Sequence, residues 1–144
     1  MRKLANFQSK RQFNLVFFSL WWFVSNSIFR SSLMPNALRP IILKIFGANI
    51  GSNVSIRRGV RVHYPWNLEI GNHCWIGEDV WFINHDKIVI GSNVCISQRS
   101  VLCSGSHNYK SAFFDYDHKP IEIKDGAWIC LDAKILPGVS VGIC

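Results

Sequence analysis

The first 46 residues contain no aspartate or glutamate. Seven bases stand there, Arg2, Lys3, Lys10, Arg11, Arg30, Arg39 and Lys44, and they equal the whole-chain excess of +7. The remaining residues carry nine bases and nine acids, so the basic character belongs to one arm. A basic stripe can point to nucleic acid, but here its neighbours are apolar and no nucleic-acid partner is expected. Between Arg11 and Arg30 lie eighteen uncharged residues, among them Val16, Phe17, Phe18, Leu20, Trp21, Trp22, Phe23, Val24 and Ile28. No small-residue cleavage site follows, so a secretory leader is not expected. Asn14, Ser19, Ser25, Asn26 and Ser27 interrupt the run, which is at the lower limit of the about 17 to 25 residues needed to cross a bilayer. Three readings of Phe13 to Phe29 stay open: a helix packed on the rest of the chain or on a neighbouring subunit, a helix lying in a membrane interface, or a true span.

Paired cysteines are missing too. Cys74, Cys95, Cys103, Cys130 and Cys144 are odd in number and show no C-x-x-C spacing. That excludes a disulfide framework and a cysteine-ligated metal, and places the chain in a reducing, cytoplasmic compartment, with peripheral contact at the inner membrane face left open for the arm. At 144 residues the chain is long enough for one domain with a sizeable core.

What the chain has in quantity is a repeat. An aliphatic or aromatic residue returns every six positions at Ile50, Ile56 and Val62, at Ile70, Ile76 and Phe82, and at Ile90, Ile96 and Leu102. The register resumes at Ile123, Ile129, Ile135 and Val141, and a small or β-branched residue follows most anchors by four places, as at Val60, Cys74, Val80, Val94 and Ala127. Neither a helix nor a hairpin has that period, and a β-sandwich would need alternation of two. A parallel β-helix of three short strands per coil has it. Each of the first three coils opens with Ile-Gly-(Ser/Asn)-(Asn/His), and the glycines at 51, 71, 91 and 142 are expected at corners with positive φ. Coils recur at twenty residues until Ile90 and then at thirty-three, so residues 103 to 122 hold an inserted loop. Pro35 and Pro40 break the arm, and Leu38 to Phe46 is predicted to form a short helix over the open first coil. The organisation expected is thus an arm over residues 1–46 and a β-helix over 47–144.

Together with this register, the Trp-Ile pairs at Trp75 and Trp128, Cys-Ser-Gly-Ser-His-Asn ending at Asn108, and Lys-Pro-Ile-Glu-Ile followed by Leu-Pro-Gly-Val-Ser-Val-Gly resemble the hexapeptide-repeat O-acetyltransferases. Within that family the chain looks most like the colanic acid or exopolysaccharide acetyltransferases, and beyond them like the maltose and galactoside enzymes. The resemblance implies an all-β solenoid wound as a left-handed parallel β-helix, a homotrimer, acetyl-CoA as donor, a sugar or glycan hydroxyl as acceptor, and no metal.

A loop too long for a corner on a rigid scaffold is where function is expected. This one carries His107, and a neutral imidazole suits removal of a hydroxyl proton during acyl transfer. The residue alone leaves a structural loop histidine equally open; the resemblance matches His107 to the family's catalytic base. Coil stacking puts Asn84, His85 and Asp86 beneath Ser104, Gly105 and Ser106. Asn84 matches a position near the family's acceptor pocket and is expected to meet a substrate hydroxyl. His85 is either a second substrate contact or a solvated corner. Trp128 precedes an inward anchor and so points outward, as a surface for a sugar or the pantetheine arm or, equally well, as part of a subunit interface, the reading preferred for Trp75. Two other classes remain. A zinc protein similar to the γ-class carbonic anhydrases would need paired histidines that His63, His73, His85, His107 and His118 do not supply by spacing. The end of the sequence at Cys144, where relatives are expected to continue, also allows a shortened, non-catalytic scaffold.

Overall fold

One inward side chain per six residues suits a strand of two or three residues that turns a corner before its next inward position. The computed structural model describes residues 15–142; Arg2, Lys3, Lys10, Arg11, Phe13, Asn14 and Cys144 lie outside the described residues. Among the described residues, thirteen short strands form three parallel sheets. The first stacks β1 (Asn49–Ile50), β4 (Leu68–Ile70), β7 (Ile88–Ile90), β10 (Ile121–Ile123) and β13 (Ser140–Val141). The second stacks β2 (Ser55–Ile56), β5 (Trp75–Ile76), β8 (Cys95–Ile96) and β11 (Trp128–Ile129). The third stacks β3 (Arg61–Val62), β6 (Trp81–Ile83), β9 (Val101–Cys103) and β12 (Lys134–Ile135). Register follows the hexads: Ile50 pairs with Ile70 and Ile70 with Ile90, Ile56 with Ile76, and Val62 with Phe82. These anchors are buried through Ile129, while Ile135 and Val141 are half-buried. Each buried aliphatic contributes about 1.5–3 kcal/mol, so the interior column is the main source of stability.

The corner glycines serve a different purpose from the one expected. Positive φ falls three residues after the anchor, at Asn53, His73, Asn93 and Gly126, and at Gly59, Asp79, Arg99 and Asp132 on the next corner. Gly51, Gly71 and Gly91 are not among the positive-φ residues. Their missing side chains instead let coils approach: a Cβ on Gly71 would stand 2.6 Å from the carbonyl carbon of Gly91. Close stacking, not chirality, selects glycine there.

Helix α1 (Leu15–Val24) lies along the third sheet, its Trp21 indole donating to the Val62 carbonyl at 3.0 Å. The expected helix leaves α geometry early, widening to a π-turn over Ser25–Phe29. Asn26 and Ser27 side chains donate to the carbonyls of Trp22 and Phe23, four residues back, and such insertions loosen the regular ladder. Helix α2 (Leu38–Ile45) packs Leu43 against the first coil. Arg39 is fully buried, donating to the carbonyls of Phe29 at 3.1 Å and Ser31 at 2.7 Å and more distantly to that of Ile56. One guanidinium thus joins the arm to the column. Among the described residues no helix is long and apolar enough to cross a membrane.

Candidate active site

The insertion between β9 and β10 folds into a small hairpin rather than a loose loop. His107 bridges Tyr116 in antiparallel fashion, the Asn108 amide donates to the Asp115 carbonyl at 2.8 Å and the Asp117 amide to the Ser106 carbonyl at 2.9 Å. The hairpin root stands on the coil below, where the Asp86 amide donates to Ser104 Oγ at 2.8 Å. Rigid sheet thereby positions an exposed histidine.

Phe114 is turned into the left-handed region, at φ 54°. Its carbonyl lies 2.9 Å from Nδ1 of His107, and its ring stacks on the imidazole at 4.5 Å between centroids. A carbonyl can only accept, so Nδ1 carries the proton and Nε2 keeps a lone pair. Tyr116 covers the ring from another side at 4.6 Å. A cavity of about 290 Å³ opens beside it, lined by Ile83, His85, Cys103, His107, Tyr116 and His118.

Around this cavity the structure collects four of the five histidines. His118 stacks on His85 at 5.1 Å, and His85 meets His63 edge-on at 5.8 Å. The Ser106 amide donates to Nδ1 of His118, which leaves the His118 proton on Nε2. Burial pushes the pKa of His63, His85 and His118 down; Arg61 adds to the effect at His63 and neighbouring imidazoles add to it at His85. At His118, Asp86 opposes it. These rings are therefore neutral near pH 7. They meet face to face and edge to face, and among the described residues no group of three His, Cys, Asp or Glu side chains is arranged to hold a metal ion.

The four residues singled out from sequence are not brought to one place. His107 and His85 line the same cavity, with His85 half-buried against His118. Asn84 departs from expectation: it is fully buried, accepting from the Tyr64 amide at 3.0 Å and donating to the Tyr64 carbonyl. Its amide locks one coil to the next and presents nothing to a substrate hydroxyl. Trp128 is 65% exposed on the second sheet, donating to Ser97 Oγ at 2.8 Å, and it does not line the cavity beside His107. Sequence reasoning missed His118, Tyr116 and Phe114, because the hairpin that carries them has no periodicity. His63 and Tyr64 were within reach, since the twenty-residue coil step places Tyr64 under Asn84.

No protein-family model matches the chain. It is 39% identical over 148 residues, covering 99% of its own length and 80% of the relative, to WcaF of Escherichia coli, a protein provisionally named as a colanic acid biosynthesis acetyltransferase. Among solved structures it superposes on a hexapeptide-repeat acetyltransferase of Vibrio cholerae complexed with acetyl coenzyme A, with a TM-score of 0.82 and 21% identity over 96% of this chain and 76% of that one. A maltose O-acetyltransferase of Clostridium difficile gives a TM-score of 0.70 at 21% identity, over 88% and 69%. The three-sided winding is the left-handed parallel β-helix of these proteins.

Proposed function

We propose that the chain, which belongs to the hexapeptide-repeat acetyltransferases, takes acetyl-CoA as donor and acetylates a sugar hydroxyl in polysaccharide or oligosaccharide biosynthesis, with His107 as general base. The observation that carries the reading is the hydrogen bond from His107 Nδ1 to the Phe114 carbonyl, which leaves Nε2 as the basic nitrogen of an exposed ring that lines the cavity. The acceptor hydroxyl gives its proton to Nε2 as its oxygen attacks the acetyl carbon. The carbon–sulfur bond then breaks, and the imidazolium returns the proton to the departing CoA sulfur. A backbone N–H at the cleft carries the charge that develops on the acetyl oxygen. No side chain is acetylated on the way. His85 and His118, held neutral, border the same cavity without competing for the proton. The name of the E. coli relative supports a glycan acceptor.

Trp128 and His107 lie on separate regions of one protomer, which supports a homotrimer in which the indole of one chain approaches the cavity of the next. The outward Leu15, Val16, Leu20, Trp22 and Phe23 of α1, beside the acid-free arm, support peripheral contact with a membrane.

The test is thiol release from acetyl-CoA with a panel of mono- and oligosaccharides. His107→Ala should lose about 10²- to 10⁴-fold in rate with its fold intact. Parental rates in that variant would end the assignment, and a parent that binds no acetyl-CoA by calorimetry would leave the scaffold reading instead.

A further inference from the structure

A second cavity, of about 360 Å³, opens between α1 and the outer surface of β3 and β6. Phe18, Trp22, Arg30, Arg61, Tyr64 and Trp81 line it, together with His85, which also lines the His107 cavity. A run of rings joins the two: His107 to Tyr116 at 4.6 Å, Tyr116 to His118 at 5.0 Å, His118 to His85 at 5.1 Å and His85 to Tyr64 at 5.4 Å.

The chemistry of the lining is selective. Aromatic surface suits the apolar face of a sugar ring, yet two guanidinium groups stand among the rings and no carboxylate lines the cavity. Arg61 lies 4.1 Å above the Trp81 ring; burial and then Arg30 raise the cost of its charge, and Asp79 opposes them. Among the described residues no ion pair joins Arg30 or Arg61 to a carboxylate, although Arg57, Arg58 and Arg99 all have one. His63, beside them, is neutral and receives the Trp81 indole proton on Nε2. Two adjacent cations in a half-enclosed site repel each other, and an anion between them removes that cost and forms charge-assisted hydrogen bonds.

We propose that this cavity takes the acceptor as a sugar bearing a phosphate or diphosphate. Arg30 and Arg61 hold the phosphoryl oxygens, the aromatic rings hold the sugar, and His85 marks the passage by which a hydroxyl reaches Nε2 of His107. The proposal rests on the acetyltransferase reading of His107. The same chemistry has two sources, a nucleotide-linked or a lipid-linked sugar, and the experiment separates them.

Calorimetry on the full chain saturated with CoA would use glucose, glucose 1-phosphate, UDP-glucose and farnesyl diphosphoglucose as probes. Glucose 1-phosphate should bind at least about 10-fold tighter than glucose, and the tighter of the two diphosphates identifies the source. Arg30→Gln and Arg61→Gln should each weaken the phosphorylated probes by about 10- to 100-fold, with CoA affinity unchanged and glucose unaffected. Arg61→Lys should recover part of the loss. Arg30 is exposed, so its variant keeps the test decisive if Arg61→Gln folds poorly. Equal binding of glucose and glucose 1-phosphate, or variants that weaken CoA rather than the sugar phosphates, would overturn the proposal. Loss of transfer in His107→Ala beside unchanged sugar-phosphate binding in the arginine variants would remove this cavity and leave the acetyltransferase reading standing.

Discussion

Arg39→Met removes the buried guanidinium while keeping much of its volume. The Phe29 carbonyl loses its donor at 3.1 Å; the half-buried Ser31 carbonyl loses a donor at 2.7 Å but keeps the Met34 amide at 3.3 Å, and the Asn36 side-chain oxygen and, at 3.4 Å, the Ile56 carbonyl lose contacts too. A buried carbonyl left unpaired costs about 1–3 kcal/mol. The loss at Phe29 dominates, while relief from burying a charge, whose pKa desolvation and then Arg57 both lower, returns part of the cost. The net expectation is about 1–3 kcal/mol, a sizeable share of the about 5–15 kcal/mol that holds a domain folded. Urea unfolding followed by tryptophan fluorescence reads this directly, because Trp21 sits in the arm that Arg39 ties down. Arg39→Lys should fall between parent and Met, since one ammonium cannot reach both carbonyls in the guanidinium's geometry. A Met variant within about 0.5 kcal/mol of the parent would refute the reasoning, for it would mean that the carbonyls find water or that the arm contributes little.

Other consequences are equally direct. Burial lowers the pKa of His63, His85 and His118 below their ordinary 6.5, so the unfolded chain takes up protons first; stability should hold above pH 6.5 and fall as pH drops through the folded values, with a shallower slope in His85→Gln, measured by urea unfolding at pH 7.5 and 5.5. Gly71→Ala forces a methyl to 2.6 Å from backbone of the next coil and should cost about 1–3 kcal/mol, whereas Gly126→Ala meets no atom within 4 Å and should lose only the smaller price of positive φ. Trp128→Ala should leave the melting of the single column unchanged while weakening trimer formation or raising the acceptor KM, read by light scattering and thiol release.

The column was legible because one physical demand repeats: every sixth side chain must fill the interior, and Ile50, Ile70 and Ile90 advertise that demand at a twenty-residue step. The position of His107 was legible as a break in the same rhythm. The corner glycines were located correctly and explained wrongly, since a single coil gives no sign of how closely the next one approaches. Asn84 misled for a related reason: a polar residue next to an anchor looks available until the neighbouring coil supplies both bonds to its amide. The tautomer of His107, the stacked imidazoles and the arm cavity depend on pairs separated by a hairpin or by an arm-to-column contact, and local pattern carries no information about those.

The central claim is that the neutral His107 ring takes the tautomer with its proton on Nδ1, held by the Phe114 carbonyl, so that Nε2 is the basic nitrogen. Nitrogen-15 NMR of histidine-labelled protein near pH 7.5, with His107→Gln to assign the signal, tests it. The account predicts a protonated Nδ1 and a bare Nε2, and a signal showing the proton on Nε2 would contradict it.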